Sequence, residues 1–189
     1  MIRKMMLLLI IAMSQQLVAK TQDFKFNAIL DQEVSCKGNK DGSIQATCLP
    51  EGNYKYIISR GKFTDSNPSG FFRGLEPGVY KVTATDGKVS KSTKVTVTEP
   101  KAISVKYIVN SYPTVKSPQG GSLTVEVSGG TTILQPYLIT WKNSKGLVLN
   151  ENEIYAMYLD NLSSDTYSVT IEDDHGCFLT KSFRLVKKK

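Results

Sequence analysis

The chain has 189 residues, of which 40% are hydrophobic and 22% charged, and its formal net charge is +7 at pH 7. This composition excludes a fully disordered chain, and the length suits one large or two small domains. The positive charge would suit an anionic surface or polysaccharide, although lysines on outward strand positions also protect sheet edges. No aromatic-and-basic stripe of the kind that binds nucleic acid is present in the sequence.

The N-terminus, MIRKMMLLLIIAMSQQLVAK, has the pattern of a secretory signal peptide. Arg3 and Lys4 precede an apolar core from Met5 to Met13, which is too short for a membrane span of about 20 residues. Small residues follow, so we expect cleavage after Ser14 or after Ala19. The mature chain is then exported, to the periplasm or the cell surface, and has no stable membrane span.

One phrase of the sequence occurs twice, because LEPGVYKVTATDGKV at 75–89 returns as LSSDTYSVTIEDDHGC at 162–177. Near the start of each copy, Gly42 falls on Gly121 at an offset of 79, and the offset is 87 at the repeated phrase (162 minus 75). The second copy therefore carries about eight extra residues, which we place near Gly129–Leu134 or in the loop 143–153. We predict a signal peptide at 1–19, a first repeat with an N-terminal strand at 20–100, and a diverged second repeat at 101–189.

Both copies show strand periodicity rather than helical periodicity. Tyr80, Val82 and Ala84 alternate with polar residues, and Leu123–Val127 does the same in the second copy. Turn residues recur about every ten positions, a spacing that is typical of β-sandwiches. We predict an all-β chain of two tandem immunoglobulin-like antiparallel β-sandwiches.

The repeated phrase predicts a structural corner in each copy. Leu75 and Leu162 would fill the core before the corner, and Gly78 would supply a positive φ at the turn. Tyr80 and Tyr167 then begin a strand, where a buried hydroxyl can bond back to the corner backbone as a tyrosine corner. The alternative is that these two tyrosines stack on a ligand.

Trp141 is the single tryptophan, and it lies in the strand-like segment YLITW at 137–141. Its counterpart in the first copy lies within 54–58. We expect Trp141 to fill the core of the second repeat, with a platform for sugar stacking as the alternative.

The motifs VSCKGNKDGSI at 34–44, LEPGVYKVTATD at 75–86 and VTEP at 97–100 resemble the SprB repeat of Bacteroidetes cell-surface adhesins. The resemblance covers 34 to about 187. It implies immunoglobulin-like modules, export, and a role in adhesion or scaffolding, and it transfers no catalytic residues. Repeats of that family often carry cysteines at the positions of Cys36 and Cys177. Here each copy keeps only one of the two, which implies that no bridge forms within a repeat.

When the two copies are aligned, each of the three cysteines, Cys36, Cys48 and Cys177, falls on a valine of the other copy. We therefore expect their side chains to be small and buried. A Cys36–Cys48 disulfide is the alternative, and it requires Cα atoms within about 7 Å of each other. The cysteine and histidine spacing matches no zinc pattern.

No catalytic constellation is apparent. His175 is the only histidine and lies in the turn DDHG at 173–176, where turn chemistry accounts for it. The aspartates Asp41, Asp86, Asp173 and Asp174 form no D-x-D-x-D loop, so we read them as turn formers rather than Ca²⁺ ligands. We expect no cofactor and no metal.

The sequence therefore predicts an exported, non-enzymatic binding protein that acts in adhesion or cell-envelope scaffolding, with protein or glycan partners. The length-variable loops 129–136 and 143–152 are the expected contact surfaces. The alternative is a carbohydrate-binding module, which requires Trp141 or several tyrosines to be exposed on one face.

Overall fold

A computed structural model describes residues 23–134, 136–150 and 155–189, so the predicted signal peptide lies outside the described residues. Within these ranges, no helical segment has the length and apolar character needed to cross a bilayer. The strands of the first half are β1 (Lys25–Gln32), β2 (Gly42–Leu49), β3 (Lys55–Arg60), β4 (Phe63–Asn67), β5 (Phe71–Leu75), β6 (Gly78–Thr85) and β7 (Ser90–Val97). Those of the second half are β8 (Ser104–Ser111), β9 (Gly121–Ser128), β10 (Leu138–Lys142), β11 (Tyr158–Leu162), β12 (Asp165–Glu172) and β13 (Phe178–Leu185).

The first repeat is a sandwich of two antiparallel sheets, one with the order β1-β2-β5 and the other with the order β4-β3-β6-β7. The second repeat has the sheets β8-β9-β11 and β10-β12-β13. The chain changes sheet after β2, β4 and β5, and at equivalent points in the second repeat, as immunoglobulin-like sandwiches do. The predicted fold class is confirmed.

Each repeat has its own core, built from the inward residues of the alternating strands. In β6, Tyr80, Val82 and Ala84 are buried, while Lys81 faces solvent. The first core extends from Phe24 to Val97, and the second extends from Val105 to Leu185. The period-two pattern therefore identified the buried face of the strands in both halves.

The eight extra residues of the second repeat are divided between two loops. Tyr56 pairs with Ala84 in the first repeat, and Ile139 pairs with Ile171 in the second, so Tyr56 and Ile139 are equivalent. The offset is therefore 83 at this strand (139 minus 56), four more than at Gly42 and four fewer than at the corner. Half of the insertion precedes β10 and half follows it.

The insertion after β10 takes the place of β4. In the described part of the second repeat, the outer edge of β10 meets only an isolated Lys142–Val148 bridge and the loop that contains it. The Asn150 side chain accepts a hydrogen bond from Trp141 N at 2.8 Å and donates one to Ile139 O at 2.7 Å. Leu149 N donates to Trp141 O at 3.0 Å. A side-chain amide thus supplies the backbone-like pairing that a neighbouring strand supplies in the first repeat.

Both corners have the geometry of a tyrosine corner. The Tyr80 hydroxyl donates to Glu76 O, and the Tyr167 hydroxyl donates to Ser163 O, each at 2.9 Å. Both rings are buried, and burial raises the pKa of Tyr80. Gly78 has a φ of 145°, where a Cβ would also meet the Arg60 side chain at 2.7 Å.

Candidate binding surface at the junction of the two repeats

A disulfide joins the two repeats. Cys36, in the loop between β1 and β2, is bonded to Cys177, in the loop between β12 and β13, with a Cα–Cα distance of 5.7 Å. Cys48 stays unpaired and is buried. The alternative of a Cys36–Cys48 bridge is therefore wrong, and so is the expectation that Cys36 and Cys177 are small buried side chains of the cores, since they are bonded to each other and only half-buried.

The reason lies in where each cysteine stands. Cys48 belongs to β2 and points into the core of the first repeat, whereas Cys36 lies in a loop at the end that faces the second repeat. The valine counterparts were a poor guide, because Val115, the counterpart of Cys36, is 68% exposed. The surroundings of these loop residues depend on the contact between the two repeats. The alternation of buried and exposed residues within one repeat carries no information about that contact.

We define the junction as the loops 33–41, 98–103, 129–134 and 173–177. Its first loop is held by Asp41, whose carboxylate accepts hydrogen bonds from the Ser35 hydroxyl and, at 3.0 Å, from Ser35 N. These bonds lower the pKa of Asp41. The Ser35 carbonyl in turn lies 3.3 Å from His175 Nδ1 of the second repeat. The loop that carries Cys36 is therefore held by hydrogen bonds of its own, in addition to the bond to Cys177.

The linker between the repeats is held on both sides. Glu99 pairs with Lys37 and accepts a hydrogen bond from Gly38 N at 3.0 Å, and these contacts lower the pKa of Glu99. On the other side, Gly130 N donates to Lys101 O at 2.8 Å. A Cβ at Gly129 would come within 2.0 Å of the Ala102 carbonyl oxygen, so glycine permits this close approach.

Two aspartates hold the inserted loop before β10. Asp173 accepts hydrogen bonds from Thr131 N and from two backbone amides of its own turn, at 2.8–3.0 Å. Asp174 accepts from Ile133 N at 2.5 Å and from Leu134 N at 2.6 Å. The side chains of Ile133 and Leu134 are 74% and 90% exposed, and we call this pair the apolar tip. An apolar pair on a backbone anchored in this way is suited to contact with a partner.

An open cleft of about 430 Å³ lies on the first-repeat side of the junction, lined by Lys37, Gly38, Asn39, Lys40, Glu76, Pro77 and Glu99. Its charges are paired: Lys37 with Glu99, and Glu76 with both Lys40 and Arg60. The two cations lower the pKa of Glu76. The two lysines and two glutamates that line the cleft therefore balance in charge.

The other residues considered as catalytic groups or metal ligands make contacts with the backbone. The His175 ring faces a backbone carbonyl rather than a hydroxyl or thiol. Asp86 accepts hydrogen bonds from the backbone of its own turn, as Asp173 does. Among the described residues, no group of three His, Cys, Asp or Glu side chains is placed to hold a metal ion.

Trp141 is fully buried, and its Nε1 donates to Ala156 O at 2.8 Å. Its equivalent in the first repeat is the core residue Ile58, since both stand two residues beyond Tyr56 and Ile139 respectively. A sugar platform at Trp141 is therefore wrong.

Comparison with known proteins gives structural similarity only. No family model matches the sequence, and no curated protein matches it. Among solved structures, the chain is similar to extracellular domains 3–5 of Drosophila OTK, with 15% identity over 87% of this chain and 61% of that chain and a TM-score of 0.34. It is also similar to the N-terminal four Ig domains of Dscam1 isoform 6.9, with 14% identity over 85% of this chain and 43% of that chain and a TM-score of 0.35. A third similar structure is a C-terminal fragment of intimin in complex with the intimin-binding domain of Tir, with 13% identity over 87% of this chain and 64% of that chain and a TM-score of 0.42. The chain spans less than two thirds of each of these solved chains.

Proposed function

We propose that this protein is an exported, non-enzymatic binding protein that acts in adhesion or in scaffolding of the cell envelope. The resemblance of the motifs to the SprB repeat and the signal-peptide pattern support this role. The observation that carries it is the junction, where a disulfide fixes two repeats and an anchored loop presents the apolar tip. The carboxylates there are engaged in holding loops, which supports binding rather than catalysis.

The apolar tip is the part of the junction we assign to contact with a protein partner. Ile133 and Leu134 expose most of their apolar side chains, and exposed apolar residues of this kind form the centres of protein interfaces. Because both backbone amides are bound by Asp174, little conformational entropy is lost when this loop is buried.

The test uses the native host without the gene, complemented by the full chain. The wild-type chain should restore cell attachment to a surface, and I133D/L134D should not. L147D is the matched control, because Leu147 is 59% exposed on another loop, and it should restore attachment fully. A deleted strain that attaches as well as its parent overturns the adhesion role. Protease shaving of intact cells then separates surface display from a periplasmic scaffold.

A further inference from the structure

The outward side of the sheet β4-β3-β6-β7 carries only basic, hydroxyl and a few aliphatic residues. We call it the lysine face, and its lysines are Lys55, Lys81 and Lys94, all of them exposed. Its hydroxyl residues are Ser59, Thr64, Ser66, Thr83, Thr85, Ser90, Ser92 and Thr96, and its aliphatic residues are Ile57 and Val79. No acidic residue points outward from these four strands. In the described part of the chain, none of the three ammonium groups forms an ion pair.

Two of these lysines stand directly opposite each other. Lys81 of β6 and Lys94 of β7 are register partners, so their Cβ atoms lie about 4.5–5.5 Å apart. Directly opposed like charges destabilise a sheet. Elsewhere the protein shows the stabilising arrangement, since Lys106 of β8 faces Glu126 of β9 at 3.1 Å. The Lys81–Lys94 pair therefore needs a reason other than folding.

The second repeat shows that the backbone does not require these lysines. The positions equivalent to Lys81 and Lys94 are Ser168 and Ser182, which are also register partners. Serine on the same strands thus gives a neutral solution within the same protein. The charge at this row is specific to the first repeat.

We propose that the lysine face binds an acidic polysaccharide, with the lysines on its carboxylate or other anionic groups and the hydroxyl side chains on its sugar hydroxyls. Lys55 stands opposite Thr85, four residues along β6 from Lys81, so the charges span about 14 Å at 3.4 Å per residue. That spacing lets a polymer engage both ends of the face at once. The inference deepens the proposed binding role by naming one partner class on a surface separate from the apolar tip.

The composition of the face favours a polysaccharide over other polyanions. Single-stranded nucleic acid is held by aromatic stacking as well as charge, and the lysine face has no aromatic residue. A membrane surface is held by apolar residues that enter the lipid, and here only Ile57 and Val79 are apolar, on different strands. The serine and threonine hydroxyls of the face match the donors and acceptors of sugars, although that of Thr85 is engaged within its own turn.

The experiment measures binding of the full mature chain to polygalacturonate by calorimetry at low salt. Neutral dextran, phosphatidylglycerol vesicles and oligothymidylate serve as comparison ligands. The test variant is K81S/K94S, which installs the serines of the second repeat. The matched control is K116S/K187S, which removes two exposed, unpaired lysines of the second repeat. I133D/L134D is measured in parallel.

Wild type should bind polygalacturonate more tightly than every comparison ligand, with affinity falling as salt rises. K81S/K94S should weaken binding about tenfold, with a melting temperature no lower than wild type, while K116S/K187S stays within about twofold. Equal weakening by both double variants, absence of binding, or equal affinity for vesicles or oligothymidylate each overturns the proposal. Failure of the proposed protein-binding role is recognised separately, because I133D/L134D should leave polygalacturonate binding unchanged.

Discussion

At the scale of single residues, the two corner tyrosines provide a matched pair. Tyr80→Phe and Tyr167→Phe each remove a hydroxyl that donates to a backbone carbonyl at 2.9 Å, while the buried ring stays. We expect each change to lower the free energy of unfolding by about 0.5–1.5 kcal/mol. Urea denaturation of the single variants measures the loss. Tyr107→Phe is the control, because Tyr107 is 48% exposed. An equal effect of all three changes would contradict the role of the corner.

Glu99 gives a pH-dependent contact at the linker. Its pairing with Lys37, together with the Gly38 N–H, lowers its pKa below the unfolded value. The stabilisation is therefore fully present above the unfolded pKa and is lost as the pH falls through the lower folded pKa. We expect Glu99→Gln to melt below wild type at pH 6, with the difference shrinking as the pH falls towards 3. A difference that persists unchanged at pH 3 would show that charge at Glu99 does not hold the linker.

At the scale of elements, one side chain supplies two of the hydrogen bonds along the outer edge of β10. Asn150 is buried and bonds both Trp141 N and Ile139 O. Asn150→Ala leaves two backbone groups without these partners, so we expect a loss of about 2–4 kcal/mol in unfolding free energy. Trp141 fluorescence follows the transition in urea. Asn143→Ala, in the preceding turn, should cost less, since Asn143 accepts only from backbone amides of its own turn.

The strands were predictable because alternation is a property of each segment alone. Tyr80, Tyr167 and Trp141 could be placed in the two cores from their positions in alternating runs. The replacement of β4 by an asparagine side chain was not predictable, because nothing in the sequence marks Asn150 as lying against the edge of a strand. The division of the insertion between two loops was likewise hidden, since only the register of Ile139 with Ile171 reveals it.

The contacts at the junction were harder to predict from the sequence than the strands. The apolar tip lies in a loop that length variation had marked as a contact surface, yet its anchoring by Asp174 depends on a contact between residues 40 apart in the sequence. The disulfide joins residues 141 apart, in loops of different repeats. Its formation depends on how one repeat docks on the next, which no pattern within a repeat encodes.

At the scale of the whole molecule, two covalent connections join the repeats: the linker around Pro100 and the Cys36–Cys177 bond. A single connection permits rotation about several axes, whereas two connections at separate points leave one hinge axis. Among the described residues, the Ser35 carbonyl is contacted across these loops by His175 and by Cys177 itself, so these polar contacts lie at the disulfide. The relative orientation of the repeats therefore depends on the disulfide.

We expect C36S/C177S to broaden the distribution of molecular dimensions measured by small-angle X-ray scattering. The disulfide also closes one loop between residues 141 apart in the sequence, so its loss should cost about 2–4 kcal/mol in unfolding free energy. C48A is the control, because Cys48 is buried within one repeat, and it should change stability without changing the scattering profile. Adding a thiol reductant to wild type should reproduce the C36S/C177S profile. An unchanged profile in both cases would mean that the orientation of the repeats does not depend on the disulfide, and that the linker contacts of Glu99 and Gly130 fix it instead.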